Sequence, residues 1–361
     1  MVTLFPPGDR SKPVSSRSRF HDQEFRSSIL VSDPMRHPEG YLQTRREFLT
    51  TGLVAGAALA TETPGRASET GDGAAGIPTI DTHTHFYDPR RTLGVPWPSR
   101  DDPFLYRPVL PPEYRKLSQP LGVVGTVVVE ASSWLEDNQW LLDLAESDPF
   151  LVGIVGQLAP GTPGFQKHLE RFAANRLFRG IRIGGGNLLQ QIETAAFLTD
   201  LRQLQSLDLT LDINGGPEML SPIRQLAELL PDLKIVVNHL ANVRIDGQAP
   251  PQTWRRDLLA LKKHPRVWCK VSALVEGASQ PDHKSPNMPA YYRPVFETAF
   301  EAFGDNRLIY GSNWPVSARF NSYAEVHQLA LALAREQGAA FAQRLMHDNS
   351  RDAYSWKARK S

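Results

Sequence analysis

Eight short runs of apolar and β-branched residues recur along the chain from position 78 onward. Most are continuous rather than alternating, which is typical of strands buried on both faces. The runs are PTIDTHTHF from Pro78, GTVVVEAS from Gly125, FLVGIVGQL from Phe150, FRGIRIGGG from Phe178, LTLDINGG from Leu209, KIVVNHLAN from Lys234, VWCKVSAL from Val267 and LIYGSNWPVS from Leu308.

Segments with apolar residues at a 3.6-residue spacing separate these runs, as in FQKHLERFAANRLF and YAEVHQLALALAREQG. In SSWLEDNQWLLDLAESDP, Ser133 and Glu136 form a potential capping box. Alternation of strand and helix eight times predicts an α/β fold, a single (β/α)₈ TIM barrel over residues 77–356. An open doubly wound sheet would need a Gly-rich phosphate turn after an early strand, and GGGN at 184–187 lacks that spacing.

One connection in this pattern is unusually long. Residues 88–112, after the first strand, are rich in proline and contain Trp97, Phe104 and Tyr106. Loops of this length inside a compact domain are often functional. We therefore expect this loop to cover the carboxyl ends of the strands.

The first 60 residues have the features of an export signal rather than of a folded domain. Arg45 and Arg46 in TRREFLT precede the short apolar stretch LVAGAALA, as in twin-arginine (Tat) signals, and Ala58-Leu59-Ala60 offers a cleavage site. Met35 is a possible true start. Residues 61–76 are a Gly/Ala/Thr-rich flexible linker. These features predict a periplasmic or otherwise exported protein that engages the Tat machinery and has no stable membrane insertion after processing.

Charge and cysteine content narrow the classes of function. The chain has 40 basic and 39 acidic residues, without the basic excess expected of a nucleic-acid-binding protein. Its one cysteine, Cys269, excludes an internal disulfide and a cysteine-rich metal site. A small-molecule substrate is the expected partner, although the charge balance itself says little about it.

Two histidines end the first predicted strand. Side chains alternate along a strand, so His83 and His85 point to the same side. Catalytic groups of this barrel type lie where strands end. Two imidazoles at such a place can chelate a metal ion, so both are predicted metal ligands.

Charged residues end the next strands. Glu130 follows GTVVV and is a candidate metal ligand or base. Arg182 either holds a substrate oxygen or pairs with Asp212 on the next strand. Asp212 is itself a candidate substrate-binding residue. Glu276 and His283 lie in a later loop, where a solvated role is expected.

The last three strands end in further polar residues. His239 ends KIVVN and is a candidate metal ligand or base. Lys270 either binds a substrate anion or pairs with an acid inside the barrel. Asn313 lies at the tip of the eighth strand, and Trp314 is predicted to form a wall of the substrate pocket.

This order of motifs resembles the amidohydrolase superfamily, in its amidohydrolase-related, lactonase-like branch. The matching residues are DTHTHF, NHLAN, KVSAL and YGSNWPV, and the resemblance covers nearly all of 77–356. It implies a hydrolytic water handled by the first-strand histidines, the sixth-strand histidine and an eighth-strand acid. It also implies a divalent metal, zinc above all, although metal dependence varies in this branch and some members work without one.

The eighth strand departs from the family pattern. The family typically has Asp where this chain has Asn313, and a neutral amide cannot take a proton from water. The leading hypothesis is hydrolysis of a lactone of a sugar or aromatic acid, with Glu130 or His239 as base and Asn313 orienting the water or substrate. Two alternatives remain: decarboxylation or amide hydrolysis on the same barrel, and a pseudoenzyme that binds its ligand without turnover.

Overall fold

The structure is a computed structural model that describes residues 76–280 and 284–359. The predicted signal region 1–60, linker residues 61–75 and His283 lie outside the described residues, so the predictions made for them stay predictions. Within the described ranges, no helix has the length and apolar character needed to cross a membrane.

Eight parallel strands form one sheet in which each strand pairs with the next along the chain. A parallel bridge between Thr84 and Trp314 connects the first strand to the segment after the last one, so the sheet closes into a barrel. The predicted (β/α)₈ fold is confirmed. The strands are β1 (Thr79–Thr84), β2 (Val123–Val129), β3 (Leu151–Gly156), β4 (Phe178–Gly184), β5 (Thr210–Asn214), β6 (Lys234–Val237), β7 (Val267–Val271) and β8 (Leu308–Tyr310).

Helices surround the barrel and follow the predicted segments. The predicted capping box at Ser133 and Glu136 does not form, and the helix begins only at Asp137. A capping box does form at Ser322 and Glu325. The α-helices of the described part are α1 (Pro111–Ser118), α2 (Asp137–Ser147), α3 (Phe165–Ala173), α4 (Gly185–Gln191), α5 (Ala195–Ser206), α6 (Leu220–Leu229), α7 (Gln252–Leu259), α8 (Leu274–Gly277), α9 (Pro289–Phe303), α10 (Tyr323–Glu336), α11 (Ala339–Gln343) and α12 (Asn349–Tyr354).

The core has two layers because continuous apolar strands bury both faces. One layer lies between strands and helices. The other contains strand residues such as Ile80, Val152 and Trp268 together with Tyr354 and Trp356 of the C-terminal segment. These strand residues lie near the strand starts, so the C-terminal segment closes that end of the barrel. The opposite end, where the strands finish, is left for a site.

Candidate active site

Three histidines from β1 and the end of β6 meet at the carboxyl ends of the strands. The rings of His83 and His239 have centroids 4.3 Å apart, and those of His83 and His85 are 5.0 Å apart. All three side chains are buried. The structure thus brings the histidine pair of the first strand together with the histidine that the sequence placed at the end of the sixth.

The chain bends sharply where three of the site-bearing strands end. His239, Ala273 and Asn313, which follow β6, β7 and β8, have positive φ angles of 56°, 51° and 59°. Such left-handed conformations are unfavourable for residues with a Cβ and cluster at functional sites. Here they turn the backbone abruptly at the mouth of the barrel.

The motif YGSN explains how β8 holds β1. A Cβ on Gly311 would lie 2.7 Å from the Cβ of His83, so only glycine allows this approach. The backbone N–H of Ser312 donates to Asp81 Oδ1 at 2.8 Å, and the N–H of His83 donates to the same oxygen at 3.1 Å. Asp81 therefore ties the two strand ends together. Its other oxygen accepts from the hydroxyls of Tyr114 and Tyr323.

Asp81 was missed as a site residue by the sequence analysis, although it lies two positions before His83. Its placement makes it a positioning residue, since its carboxylate contacts backbone and tyrosines rather than the histidine rings.

Lys270 and Asp212 form an ion pair inside the barrel. Their Nζ and Oδ2 atoms are 2.7 Å apart, and both side chains are fully buried. Asp212 also accepts from the hydroxyl of Tyr354 at 2.9 Å. Lys270 Nζ lies 3.3 Å from His83 Nδ1. Lys270 was expected either to bind a substrate anion or to pair with an acid inside the barrel. The structure shows the internal pair, and both charged groups are buried away from a ligand.

Arg182 and Glu130 form the second ion pair. Arg182 Nε donates to Glu130 Oε1 at 2.7 Å, and Nη2 donates to the Glu130 carbonyl at 2.8 Å. Glu130 Oε2 accepts from the N–H of Ser132. Arg182 and Asp212 are register neighbours on β4 and β5, yet the predicted pair between them does not form. Both carboxylate oxygens of Glu130 are thus engaged, while Arg182 Nη1 has no hydrogen bond within the described residues.

Asn313 connects His85 to a residue for which a solvated role was predicted. Its Oδ1 lies 3.2 Å from His85 Nε2, and its Nδ2 donates to Glu276 Oε1 at 2.8 Å. The Nδ1 of His85 faces the carbonyl of Val129 at 2.9 Å. Glu276 Oε2 is out of contact with solvent and has no hydrogen-bond partner among the described residues. The solvated role predicted for Glu276 is wrong because α8 folds its carboxyl group back against Asn313.

Burial and two cations keep the imidazoles neutral. The pKa of His85 is lowered to about 3, first by burial and then by the charge of Arg182. The pKa values of His83 and His239 are also well below the ordinary value, through burial and then the charge of Lys270. At neutral pH the site therefore combines uncharged imidazoles with fixed positive charge.

These depressed pKa values predict a stability that falls in mild acid. Unfolded histidines take up protons near pH 6.5, whereas the buried ones do not. The free energy of unfolding should therefore fall below pH 6.5, by roughly 1.4 kcal/mol per pH unit for each such histidine. For His85 this loss continues towards its folded pKa of about 3.

Urea unfolding at pH 7.5 and pH 5.5 measures this loss. His85→Gln should make the dependence on pH shallower, whereas His168→Gln on α3, outside the barrel, should leave it unchanged. Equal stability of the wild type at both pH values would contradict the prediction.

The long loop after β1 lies over the strand ends as predicted, but Trp314 does not form the predicted wall of the pocket. The ring of Trp97, in the loop after β1, lies 5.9 Å from that of His85. Arg91 ties this loop to Asp137 at 2.8 Å. Trp314, in contrast, is 1% exposed and packs against Phe86 and Tyr114. The structure does not bring Trp314 into the site, because its ring turns outward to the layer between strands and helices.

The donor set does not fit a divalent metal ion. His83 Nε2 is buried and has no hydrogen-bond partner in the described part of the chain, as a ligand atom would be. The other ring nitrogen of His83, however, faces Lys270, whereas a metal-bound histidine normally donates there to a carboxylate or carbonyl. Glu130 is committed to Arg182. In the described part of the chain, no three His, Cys, Asp or Glu side chains are placed to hold a metal. The predicted ligand set of His83, His85, Glu130 and His239 is thus not assembled as one.

Comparisons with known proteins agree with this architecture. The amidohydrolase family model matches residues 80–356. The chain is 31% identical to an L-fucono-1,5-lactonase of Burkholderia ambifaria over 245 residues, which are 66% of this chain and 80% of the relative.

Two solved structures share the fold. An amidohydrolase from Burkholderia multivorans with bound zinc has a TM-score of 0.67 at 24% identity, covering 78% of this chain and 100% of the other. A putative 2-pyrone-4,6-dicarboxylic acid hydrolase from Pseudomonas putida has a TM-score of 0.62 at 23% identity, covering 77% and 98%. At these identities the likeness concerns the fold.

Proposed function

Since the chain belongs to the amidohydrolase family and is a hydrolase, we propose that it opens small lactones of sugar or aromatic acids. The observation that carries this proposal is the cluster of three neutral imidazoles beside Arg182, under the loop that carries Trp97. Relatives named as lactonases support the substrate class.

We assign separate tasks to the charged and neutral groups. Glu130 holds the guanidinium of Arg182, which leaves Nη1 to bind the substrate carbonyl and the negative charge that develops on its oxygen. His239 has Nδ1 against Ser272 Oγ at 2.8 Å and keeps Nε2 to orient the attacking water. Lys270 and Asp212 support His83 from behind instead of touching the substrate. Asn313 orients the imidazole of His85, whose Nε2 lies 3.2 Å from Asn313 Oδ1.

A lactone panel tests this function. The purified protein should release acid from sugar-acid lactones such as L-fucono-1,5-lactone, or from 2-pyrone-4,6-dicarboxylate, and His83→Ala should abolish the release. Release of carbon dioxide instead would identify a decarboxylase on this barrel. Saturable binding of these compounds without turnover would identify the non-catalytic alternative.

The proposed reaction is assigned no resident metal ion, because Asp212 and Glu130 are already paired with Lys270 and Arg182. Lactone turnover should therefore be unchanged after prolonged dialysis against a chelator, and mass spectrometry should find far less than one zinc ion per chain. Stoichiometric zinc that is lost in His83→Ala, together with activity restored only by zinc, would overturn this part of the proposal.

We also propose that the protein is exported through the Tat route, from Arg45, Arg46 and the apolar stretch after them. Cell fractionation should place the protein outside the cytoplasm, and the double change of both arginines to lysine should retain it inside. Export of that double variant at the wild-type level would contradict the proposal.

A further inference from the structure

The site lacks an obvious strong proton acceptor, because burial and nearby cations lower the pKa values of His83, His85 and His239, the candidate base, and make these imidazoles weak bases. The family's eighth-strand acid is Asn313 here, both oxygens of Glu130 are engaged, and Asp212 is enclosed with Lys270. A hydrolase must still take a proton from its attacking water and return one to the leaving oxygen. Another carboxyl group close to the imidazoles would meet this need.

We propose that Glu276 is this catalytic base and that Asn313 holds it in place. The inference rests on the proposed lactone hydrolysis and names the residue that performs its proton transfer. The side-chain amide of Asn313 lies between Glu276 and His85. Its Oδ1 is 3.2 Å from His85 Nε2, and its Nδ2 is 2.8 Å from Glu276 Oε1. Glu276 is therefore one amide group away from the cluster of histidines.

The two oxygens of Glu276 have different surroundings. Oε1 accepts from Asn313, whereas Oε2 is shielded from solvent and finds no hydrogen-bond partner in residues 76–280 and 284–359. A buried, unsatisfied carboxylate oxygen is costly for a fold, and native structures retain such atoms mainly where function uses them. An attacking water hydrogen-bonded to Oε2 would satisfy this oxygen.

The protonation behaviour of Glu276 agrees with such a role. Burial raises its pKa to about 7, and the N–H of Asn313 only partly opposes the rise. Tyr292 on α9 is a titratable group that senses this charge, but its own pKa is raised far above neutrality and its hydroxyl donates to the carbonyl of Pro286. A base whose pKa lies near the working pH is the most effective.

Glu276 alone can accept the proton from the water and return it to the leaving oxygen. Its carboxylate takes a proton from water as the water oxygen bonds to the lactone carbonyl carbon. When the ring C–O bond breaks, the same proton passes to the departing ring oxygen. The products are a carboxylic acid and a free hydroxyl, and Glu276 is again a carboxylate. Arg182 carries the charge on the carbonyl oxygen in between.

Substitution of Glu276 tests the inference. Glu276→Gln should lower kcat about 10²–10⁴-fold with little change in KM. In the wild type kcat should fall as the pH drops below about 7, and this fall, the acidic limb of the pH–rate profile, should be absent from Glu276→Gln. Glu276→Asp should restore part of the rate and the limb. The matched control is Glu218→Gln, an exposed glutamate after β5 whose carboxylate contacts Gly216. A Glu276→Gln enzyme with the rate and profile of this control would overturn the inference.

Asn313→Asp gives a second, independent outcome. It would put a second carboxyl group at a 2.8 Å contact with Glu276, and two carboxyls this close raise the pKa of one of them. The acidic limb should therefore move to higher pH. A faster enzyme with an unmoved limb would show that the eighth-strand position is the base, which overturns the role given to Glu276.

Failure of the lactone proposal is separable from failure of this one. If the wild type opens no lactone, infrared titration of the protein still reports the carboxyl group directly. A carboxyl band with its midpoint near pH 7 that disappears in Glu276→Gln supports the inference. Absence of such a band overturns it.

Discussion

Replacing Lys270 by methionine should destabilise the protein by about 3–5 kcal/mol, since it leaves a buried carboxylate without its cation. Asp212 would keep the hydroxyl of Tyr354 at 2.9 Å and that of Thr210 at 3.3 Å, but both donors are neutral. Urea unfolding of the wild type and Lys270→Met at pH 7.5 measures this difference.

Two further variants show whether charge imbalance is the cause. The double variant Lys270→Met with Asp212→Asn removes both charges and should recover much of the lost stability. Lys263→Met breaks a pair with Glu228 whose side chains are 66% and 42% exposed, and it should have little effect because solvent screens that pair. A double variant as unstable as the single one would indicate lost packing instead.

Replacing Arg182 by glutamine should lower kcat/KM for a lactone about 10²–10³-fold, as the loss of an oxyanion-binding group typically does. The stability loss should be smaller than for Lys270→Met because this pair is not enclosed, with 16% and 13% of the two side chains exposed. Arg182→Lys should also be impaired, since a lysine cannot contact the Glu130 carboxylate and carbonyl in the geometry of a guanidinium. Steady-state kinetics on the best lactone of the panel measures both variants.

Arg171 provides the matched control for Arg182. Its guanidinium makes two 2.7 Å hydrogen bonds to Glu136, but on the surface of the barrel. Arg171→Gln should leave turnover unchanged. If Arg182→Gln behaves like Arg171→Gln, then Arg182 is a structural partner of Glu130 and the substrate carbonyl is bound elsewhere.

The two ion pairs show why charged residues inside the barrel were easier to predict than their partners. Each charged residue was found because it interrupts an apolar strand that packing alone would have left apolar. Arg182 and Asp212 were plausible partners because they are level on neighbouring strands. In the closed barrel, side chains that point inward also reach across it. Arg182 pairs with Glu130, which directly follows β2, and Asp212 pairs with Lys270 of β7. Such choices depend on barrel geometry that no single strand contains.

The loops were predicted less well than the strands for a related reason. Glu276 follows β7 in a segment without a regular pattern, so its exposure could not be deduced from its neighbours in sequence. The short helix α8 and the left-handed turn at Ala273 bring it to Asn313. Trp314 was wrongly given to the pocket because its orientation depends on the bridge to Thr84, a contact across the whole chain.

The sequence alone determined the barrel and the histidine pair on its first strand, because strand periodicity and strand order are local properties of the chain. The same local rule placed His83 and His85 on one side of β1. Only the tertiary structure decided how the charges are distributed. Closure of the barrel pairs Glu130 and Asp212 with cations, whereas Glu276 lies beside Asn313 and has no cationic partner among the described residues. The donor set around His83 and the proposed identity of the base both follow from that distribution.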